Sequence, residues 1–480
     1  MTPNSYNINP PSVPNGDKVS ITVCTSSAKQ RFTYGNRPCG HPQSPTYGNT
    51  SAKQIPTSSI KPWSYLLLLI MILLAPITSH AMQILIPMDD TQTNHLKAYG
   101  ICYAILEKGG SAEWLLNYRG GSFLTEYSDD VAAMCRIRNV KFETLADAAA
   151  NNILSEISRN DVNMEQIKLE KAPKIAVYAP KTYKPWDDAV MLVLTYAEIK
   201  YTVVYDEEIL NGDLKDYDWL HVHHEDFTGQ FGKFYALYKN APWYRNQVTE
   251  FNALAQKMGY SKVSQLKLAV AKTMKEFVGN GGFMFAMCSA TDSYDIALAA
   301  EGVDICQPMF DGDPIDPDCQ SKLDYSKTFA FQNFKLELNP NVYEYSDIDA
   351  TTFRSVSKSD DVFTLFDFSA KWDPVPTMLC QNHEAVIDGF MGQTTAYRKE
   401  IIKPSVLIMG DNKAANEARY IHGEYGKGTW TWYAGHDPAD YQHFVGDPPT
   451  DLDLHPNSPG FRLILNNVLF PAAKKKKMKT

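Results

Sequence analysis

One stretch, residues 275–303 (KEFVGNGGFMFAMCSATDSYDIALAAEGV), constrains the fold more than any other. Val270, Met274, Phe277 and Val278 recur at helical spacing. Gly279-Asn280-Gly281-Gly282 then ends that helix and turns the chain. Phe283 to Met287 is an apolar run of buried-strand length, closed by Cys288. Thr291 or Asp292 is placed to cap the next helix, which carries Ile296, Leu298 and Ala299. Helix, turn, strand, Cys, helix is the grammar of a parallel α/β sheet. A residue at such a strand-to-helix turn sits at the carboxyl edge, where open α/β sheets keep their ligand crevices. Backbone N–H groups of the following helix start favour a thiolate there. A buried Cys that merely packs as a small hydrophobe stands beside that reading.

The chain has 480 residues, 44% of them hydrophobic, enough for a large core and for two or three domains. A net charge of −9 argues against a nucleic-acid partner, which would want a basic face. The eight cysteines form no CxxC pair, so neither a zinc-finger pattern nor a small disulfide scaffold is present, though an isolated bridge such as Cys306–Cys319 is compatible with the spacing.

Residues 1–60 are rich in Ser, Thr, Asn, Pro and Gly and read as a disordered leader, consistent with a start codon placed too early. Residues 61–81 follow: a basic flank at Lys61, the apolar run Tyr65 to Ala75, and Ser79-His80-Ala81. That is the pattern of a secretory signal peptide cut after Ala81, with a short membrane anchor as the alternative. The expectation is an exported protein, periplasmic or extracellular, touching membrane only through that segment if it stays uncleaved. Residues 82–168 alternate strands and helices, predicting parallel βαβ units, with 146–168 a polar helical connector. Residues 169–472 form a second, larger α/β series, with an aromatic-rich insertion at 227–262 expected over the carboxyl edge of its sheet. Residues 473–480 are a basic tail.

Several groups fall at carboxyl ends of predicted strands. His221 and His223 share a face of the strand 218–223, and with Glu225 they form a weak metal-ligand candidate. Packing histidines and a helix-capping glutamate are the alternative. Asp187-Asp188 and Asp89-Asp90 line the same edge or cap helices. The acidic loop 311–318 suggests Ca²⁺, without the EF-hand spacing. No phosphate loop or dinucleotide fingerprint occurs, and no cofactor is predicted; metal use is not readable.

FAMCSATD, GKGTWTWYAGHDP and HPNSPGFRLILNNVLF together resemble a class I glutamine amidotransferase-like domain of the trehalose-utilisation type, over about residues 174–470. The start MQILIPMDDTQTNHLKAYG is similar to a group of exported bacterial proteins often labelled asparagine synthetase B. The resemblance implies an α/β fold with flavodoxin-like parallel sheets, preceded by a smaller α/β unit. It implies Cys288 as nucleophile and His436 as general base, with Asp437 orienting the base in place of the family's Glu, because Pro438 occupies that position. Ser289, His223, His224, Glu225 and Asp187 would line the substrate crevice. The synthetase label is not matched by its chemistry: the folded region opens at Met82-Gln83 rather than with a Cys, and no Ser-Gly-Gly loop for pyrophosphate is present. Two functions follow as expectations. One is an exported Cys-dependent hydrolase acting on a C–N or acyl bond of a small molecule. The other is a non-catalytic ligand- or sugar-binding protein on the same fold.

Overall fold

A computed structural model describes residues 82–180, 188–351, 356–367, 369–373, 383–444 and 446–473. The predicted leader, signal segment and basic tail, and Asp187, lie outside the described residues. Two sheets carry the architecture. The first is wholly antiparallel, with β1 (Met82–Ile86), β2 (Ala112–Leu116), β3 (Ser122–Glu126), β4 (Glu143–Ala146) and β5 (Glu165–Leu169) in the order β4-β1-β3-β2-β5. This corrects the expected parallel units. Helix α1 (His95–Glu107) joins β1 to β2, and α2 (Asp129–Ile137) joins β3 to β4. The short turn at Tyr118–Gly120 makes β2 and β3 a hairpin, which puts β3 between β1 and β2. The strand–helix alternation therefore belongs to a split βαβ pattern. The expected polar connector is helix α3 (Asp147–Ser158) followed by β5, which pairs with β2.

The second sheet has a parallel half and an antiparallel half. β6 (Ile175–Tyr178), β7 (Thr202–Val204), β8 (Trp219–Val222), β9 (Phe283–Met287) and β15 (Gly428–Tyr433) run parallel in the order β7-β6-β8-β9-β15. The order reverses between β6 and β8. The hairpin at Gly426-Lys427-Gly428 then adds β14 (Glu417–Tyr425) antiparallel to β15, followed by β13 (Leu407–Asn412), β10 (Val362–Leu365) and β11 (Val386–Asp388), with β12 (Tyr397–Arg398) on the side of β14. A Cβ on Gly428 would stand 2.1 Å from the Val278 carbonyl oxygen and 2.2 Å from that of Gly282, so this turn seats directly on the one preceding β9.

β9 is buried along its whole length because helices cover both faces. On one face Met284 and Ala286 meet α6 (Val263–Gly279) and α7 (Ser289–Ala299). On the other, Phe283, Phe285 and Met287 join a core cluster that includes Ile84, Trp114 and Phe123 of the first sheet and Phe461 and Leu465 of the last helix, α8 (Pro459–Leu469). α1, α4 (Ala189–Tyr196) and α8 pack on one another between the sheets. Arg462, fully buried on α8, donates to the Met88 carbonyl at 3.0 Å and to the Tyr99 hydroxyl at 3.0 Å. Burying a guanidinium is costly unless its donors are satisfied, so Arg462 ties α8 to α1 and to the segment that follows β1.

The aromatic insertion builds α5 (Pro242–Lys257) and packs inward. Phe231 lies 6.4 Å from Tyr244 and 6.3 Å from Phe251, and the tilted rings of Tyr238 and Trp243 lie 5.1 Å apart. Cys306 and Cys319 are both free and buried, so no bridge joins them. Among the described residues no helix is long and apolar enough to cross a membrane.

Candidate functional site

Cys288 occupies the strand-to-helix turn, and it, rather than Thr291 or Asp292, is the N-cap of α7. Its φ of 52° and ψ of −147° fall in a region that side-chain-bearing residues avoid. Thr394, at φ 53°, is next to it: Gln393 accepts a hydrogen bond from Cys288 Sγ at 3.7 Å, and Thr394 accepts one from the Gly435 N–H at 3.0 Å. The Cys288 N–H in turn donates to the Gly435 carbonyl at 3.0 Å. Two strained non-glycine residues thus meet around one glycine.

The thiol is buried, and burial pushes its pKa up to about 12. The Ser289 N–H and side chain work against that rise, and Asp292 and Asp349 add to it. Both carboxyls are themselves held up by burial, Asp349 to about 7 and Asp292 well above the carboxylate range. Asp349 accepts from the Thr394 N–H and, at 2.9 Å, from the Thr351 N–H; Asp292 Oδ1 accepts from Thr394 Oγ1 at 3.2 Å. Burial thus pushes the Cys288 thiol and both neighbouring carboxyls toward their protonated forms.

His436 follows β15 as expected, but its ring turns to the histidines of β8. Its centroid lies 4.6 Å from His223, 5.6 Å from His224 and 5.3 Å from His443, the last stacked at 5°. No hydrogen bond joins His436 to Cys288 among the described residues. Burial and the three neighbouring imidazoles hold its pKa well below the usual histidine value. Asp437 does not orient it. That carboxylate accepts from the N–H groups of Ala439 and Asp440 at 2.8 and 3.1 Å and from Thr450 Oγ1 at 2.6 Å, closing the turn after β15. Cys288 and His436 therefore stand at the ends of neighbouring strands without forming a pair. Ser289 is buried in the first turn of α7 beside the thiol.

The strand β8 and the residue that follows it bring His221 and His223 to one carboxylate. Asp188 caps α4, accepting from the Val190 and Met191 N–H groups at 2.8 and 3.0 Å. His221 Nε2 lies 3.2 Å from its Oδ2 and His223 Nδ1 3.3 Å from its Oδ1. Burial pushes the Asp188 pKa up, and the two imidazoles outweigh it, leaving the carboxyl well below its usual range. Burial lowers His221 despite that partner, and lowers His224 to about 3. Asp188 follows β6 while His223 follows β8, so the cluster sits where the strand order reverses, the usual crevice of an open α/β sheet.

Glu225 leaves this cluster. The chain turns after β8, and Glu225 Oε2 lies 3.7 Å from the buried ammonium of Lys267, which also donates to Tyr178 and Tyr205 hydroxyls at 2.8 and 2.9 Å and to Asp206 at 3.1 Å. Burial, against Lys267, raises Glu225 to about 7. The acidic loop expected to suit Ca²⁺ is likewise filled by a side chain: Lys262 Nζ sits 3.0 Å from Asp311 and 2.6 Å from Asp313, and also pairs with Asp304. A cavity of about 290 Å³ lies beside it, lined by Lys262, Gln265 and Cys306 among others, and includes none of the predicted site residues.

Comparison with known proteins adds little to this geometry. No family model matches the chain, and no curated protein matches it. Among solved structures, a cytoplasmic protein from Salmonella typhimurium is 10% identical, with a TM-score of 0.29 over 63% of this chain and 100% of its own. A second, from Salmonella typhimurium LT2, is 9% identical at 0.28 over 56% and 90%. The GH42 beta-galactosidase Gan42B is 12% identical at 0.24, over 56% of this chain and 28% of its own. Scores of this size fix neither a fold family nor an activity.

Proposed function

We propose that this is an exported α/β protein of flavodoxin-like, class I glutamine amidotransferase-like type that binds a small-molecule ligand at the carboxyl edge of β6, β8, β9 and β15. The parallel strands taken in chain order run 2-1-3-4-5, which supports the flavodoxin-like reading. The observation that carries the function is the imidazole cluster at the point of strand reversal, with His224 and His436 partly accessible and His223 buried beneath them. Binding is favoured over thiol catalysis because the Cys288 thiol is enclosed, its pKa pushed up by burial, and bonded to the Gln393 carbonyl rather than to a base. A nucleophile must meet its base within hydrogen-bond reach.

A second reading, the Cys-dependent hydrolase, draws on one feature: the strained backbone at Cys288, the conformation that nucleophile elbows adopt. One experiment separates the two. The full-length protein is labelled with iodoacetamide from pH 6 to 10, and Cys288 modification is followed by peptide mass spectrometry. Binding predicts slow labelling with no inflection below the roughly 8.5 of a free thiol, together with a ligand-induced rise in melting temperature from a panel of small sugars and amides that disappears in His436→Gln. Fast labelling at neutral pH, slowed by His436→Gln, overturns it in favour of the hydrolase.

A further inference from the structure

We propose that His223, His224 and His436 bind a divalent transition-metal ion of the zinc class, with Asp188 as the carboxylate that orients His223 and one coordination position left open. The inference rests on the carboxyl-edge reading for the site's location but not for its chemistry. Each of the three side chains offers a ring nitrogen, and these nitrogens lie within 4.8 Å of one another. Zinc–nitrogen bonds of about 2.0–2.1 Å put tetrahedral ligands roughly 3.4 Å apart, so a contraction of at most roughly 1.4 Å closes the set. The rings are already gathered, with His223 and His224 centroids 4.7 Å apart and His223 and His436 4.6 Å apart.

The buried nitrogens need a partner. Nε2 of His223 and Nδ1 of His436 are buried and have no hydrogen-bond partner among the described residues. His223 is 2% exposed. A buried polar atom without a partner costs about 1–3 kcal/mol, and a cation removes that cost. His223 Nδ1 faces Asp188, which leaves Nε2 as its outward atom. A carboxylate behind a ligating histidine fixes the tautomer and raises ligand basicity, and losing it lowers metal affinity about 10–100-fold.

Two other groups of potential ligands serve less well. Asp188, His221 and His223 are close together but all buried, and Asp188 already accepts from two N–H groups of α4. Asp304, Cys306 and Asp311 already face the Lys262 ammonium. At the chosen site three imidazole nitrogens suit zinc, copper, nickel or iron rather than magnesium or calcium. Three protein ligands leave a fourth position for water or an oxygen atom of the ligand.

The test uses the full chain, stripped with a chelator and titrated with cobalt(II) chloride. The expected result is one equivalent bound, with the strong visible absorption of tetrahedral cobalt, no near-ultraviolet sulfur-to-cobalt band, and displacement by zinc. His436→Gln should weaken binding at least about tenfold and Asp188→Asn about 10–100-fold, while His455→Gln, outside the cluster, leaves it unchanged. Near-ultraviolet circular dichroism checks that each variant keeps its fold. If a variant unfolds, the wild-type spectrum alone decides. Absence of tetrahedral cobalt, a sulfur band, or equal affinity in folded His436→Gln overturns the proposal. Should the metal-free protein still show ligand-induced stabilisation while binding no cobalt, the metal inference falls and the binding reading stands.

Discussion

The backbone at Cys288 makes a quantitative prediction, tested by comparing Cys288→Ala with Cys288→Gly. Both variants remove Sγ and its bond to the Gln393 carbonyl, so lost packing and hydrogen bonding cancel between them. What remains is the backbone. In ordinary positions glycine is less stable than alanine by about 0.5–1 kcal/mol, because it loses more chain entropy on folding. At φ 52° and ψ −147° the order reverses, since a Cβ there costs about 1–3 kcal/mol of strain. The net expectation is that the glycine variant is the more stable by about 1–2 kcal/mol. For a chain of this length roughly 1 kcal/mol moves the melting temperature by about 1 °C, so chemical denaturation is the better assay. Urea midpoints should differ in favour of glycine while the slopes agree. An alanine variant equal to or more stable than the glycine variant would refute the argument and remove the structural case for a strained elbow.

Two further perturbations follow from the buried acids. Asp349 has its pKa raised to about 7 from an ordinary 3.8, so its contribution to stability is present at low pH and is lost as pH rises through about 7; Asp349→Asn should flatten the fall in melting temperature between pH 5 and 8, and an unchanged profile counts against a neutral Asp349. His224 has the opposite sign, with its pKa lowered to about 3: its contribution is intact above about 6.5 and is lost as pH falls toward 3, so acid destabilisation should persist in that variant. Lys267→Met leaves Asp206 and Glu225 buried without their cation and should cost about 3–5 kcal/mol at pH 8. Because Glu225 titrates at about 7, the penalty should shrink at pH 5.5, and a pH-independent loss measured by urea unfolding would contradict the pairing.

Much of the second sheet is legible in residues that do two jobs at once. The glycines around 279–282 and 426–428 punctuate the chain and also let two turns seat on each other, which is why β9 and β15 stand out as strands. FMFAM reads as buried on both faces, and it is. The first sheet was less legible because alternation of strands and helices is shared by parallel βαβ units and by the split pattern. Only the tightness of the β2–β3 turn distinguishes them, and Arg119-Gly120-Gly121 signals a turn without saying that it closes a hairpin. β5 was hidden because EQIKL, with three polar residues in five, finds its partner only in three dimensions.

The candidate site was legible by residue type but not by partnership. HVHH announces titratable groups after a strand. Nothing local says that Asp188, a helix cap by its own neighbourhood, receives both His221 and His223. Nothing local says either that Glu225 turns away to Lys267, or that His443, from the loop after β15, stacks on His436. Asp349 and Thr394 escape notice for the same reason, since they reach Cys288 from irregular chain far along the sequence.

The separation of the Cys288 and imidazole environments traces to Gly435. Its φ of 106° is open to glycine, and a Cβ there would stand 3.0 Å from that of Phe390. Through its carbonyl it holds the Cys288 N–H, and through its N–H it holds the Thr394 carbonyl. The chain crosses between the two strained residues at this point and delivers His436, one residue later, to the β8 side, where His223 and His224 wait. The same joint leaves Cys288 Sγ against the Gln393 carbonyl. A thiol pushed up by burial and a His436 ring pushed down by burial and its neighbouring imidazoles are therefore not two accidents of packing. They are the two sides of one backbone crossing, and the side that retains unsatisfied nitrogens and an opening to solvent is the side on which a ligand can be held.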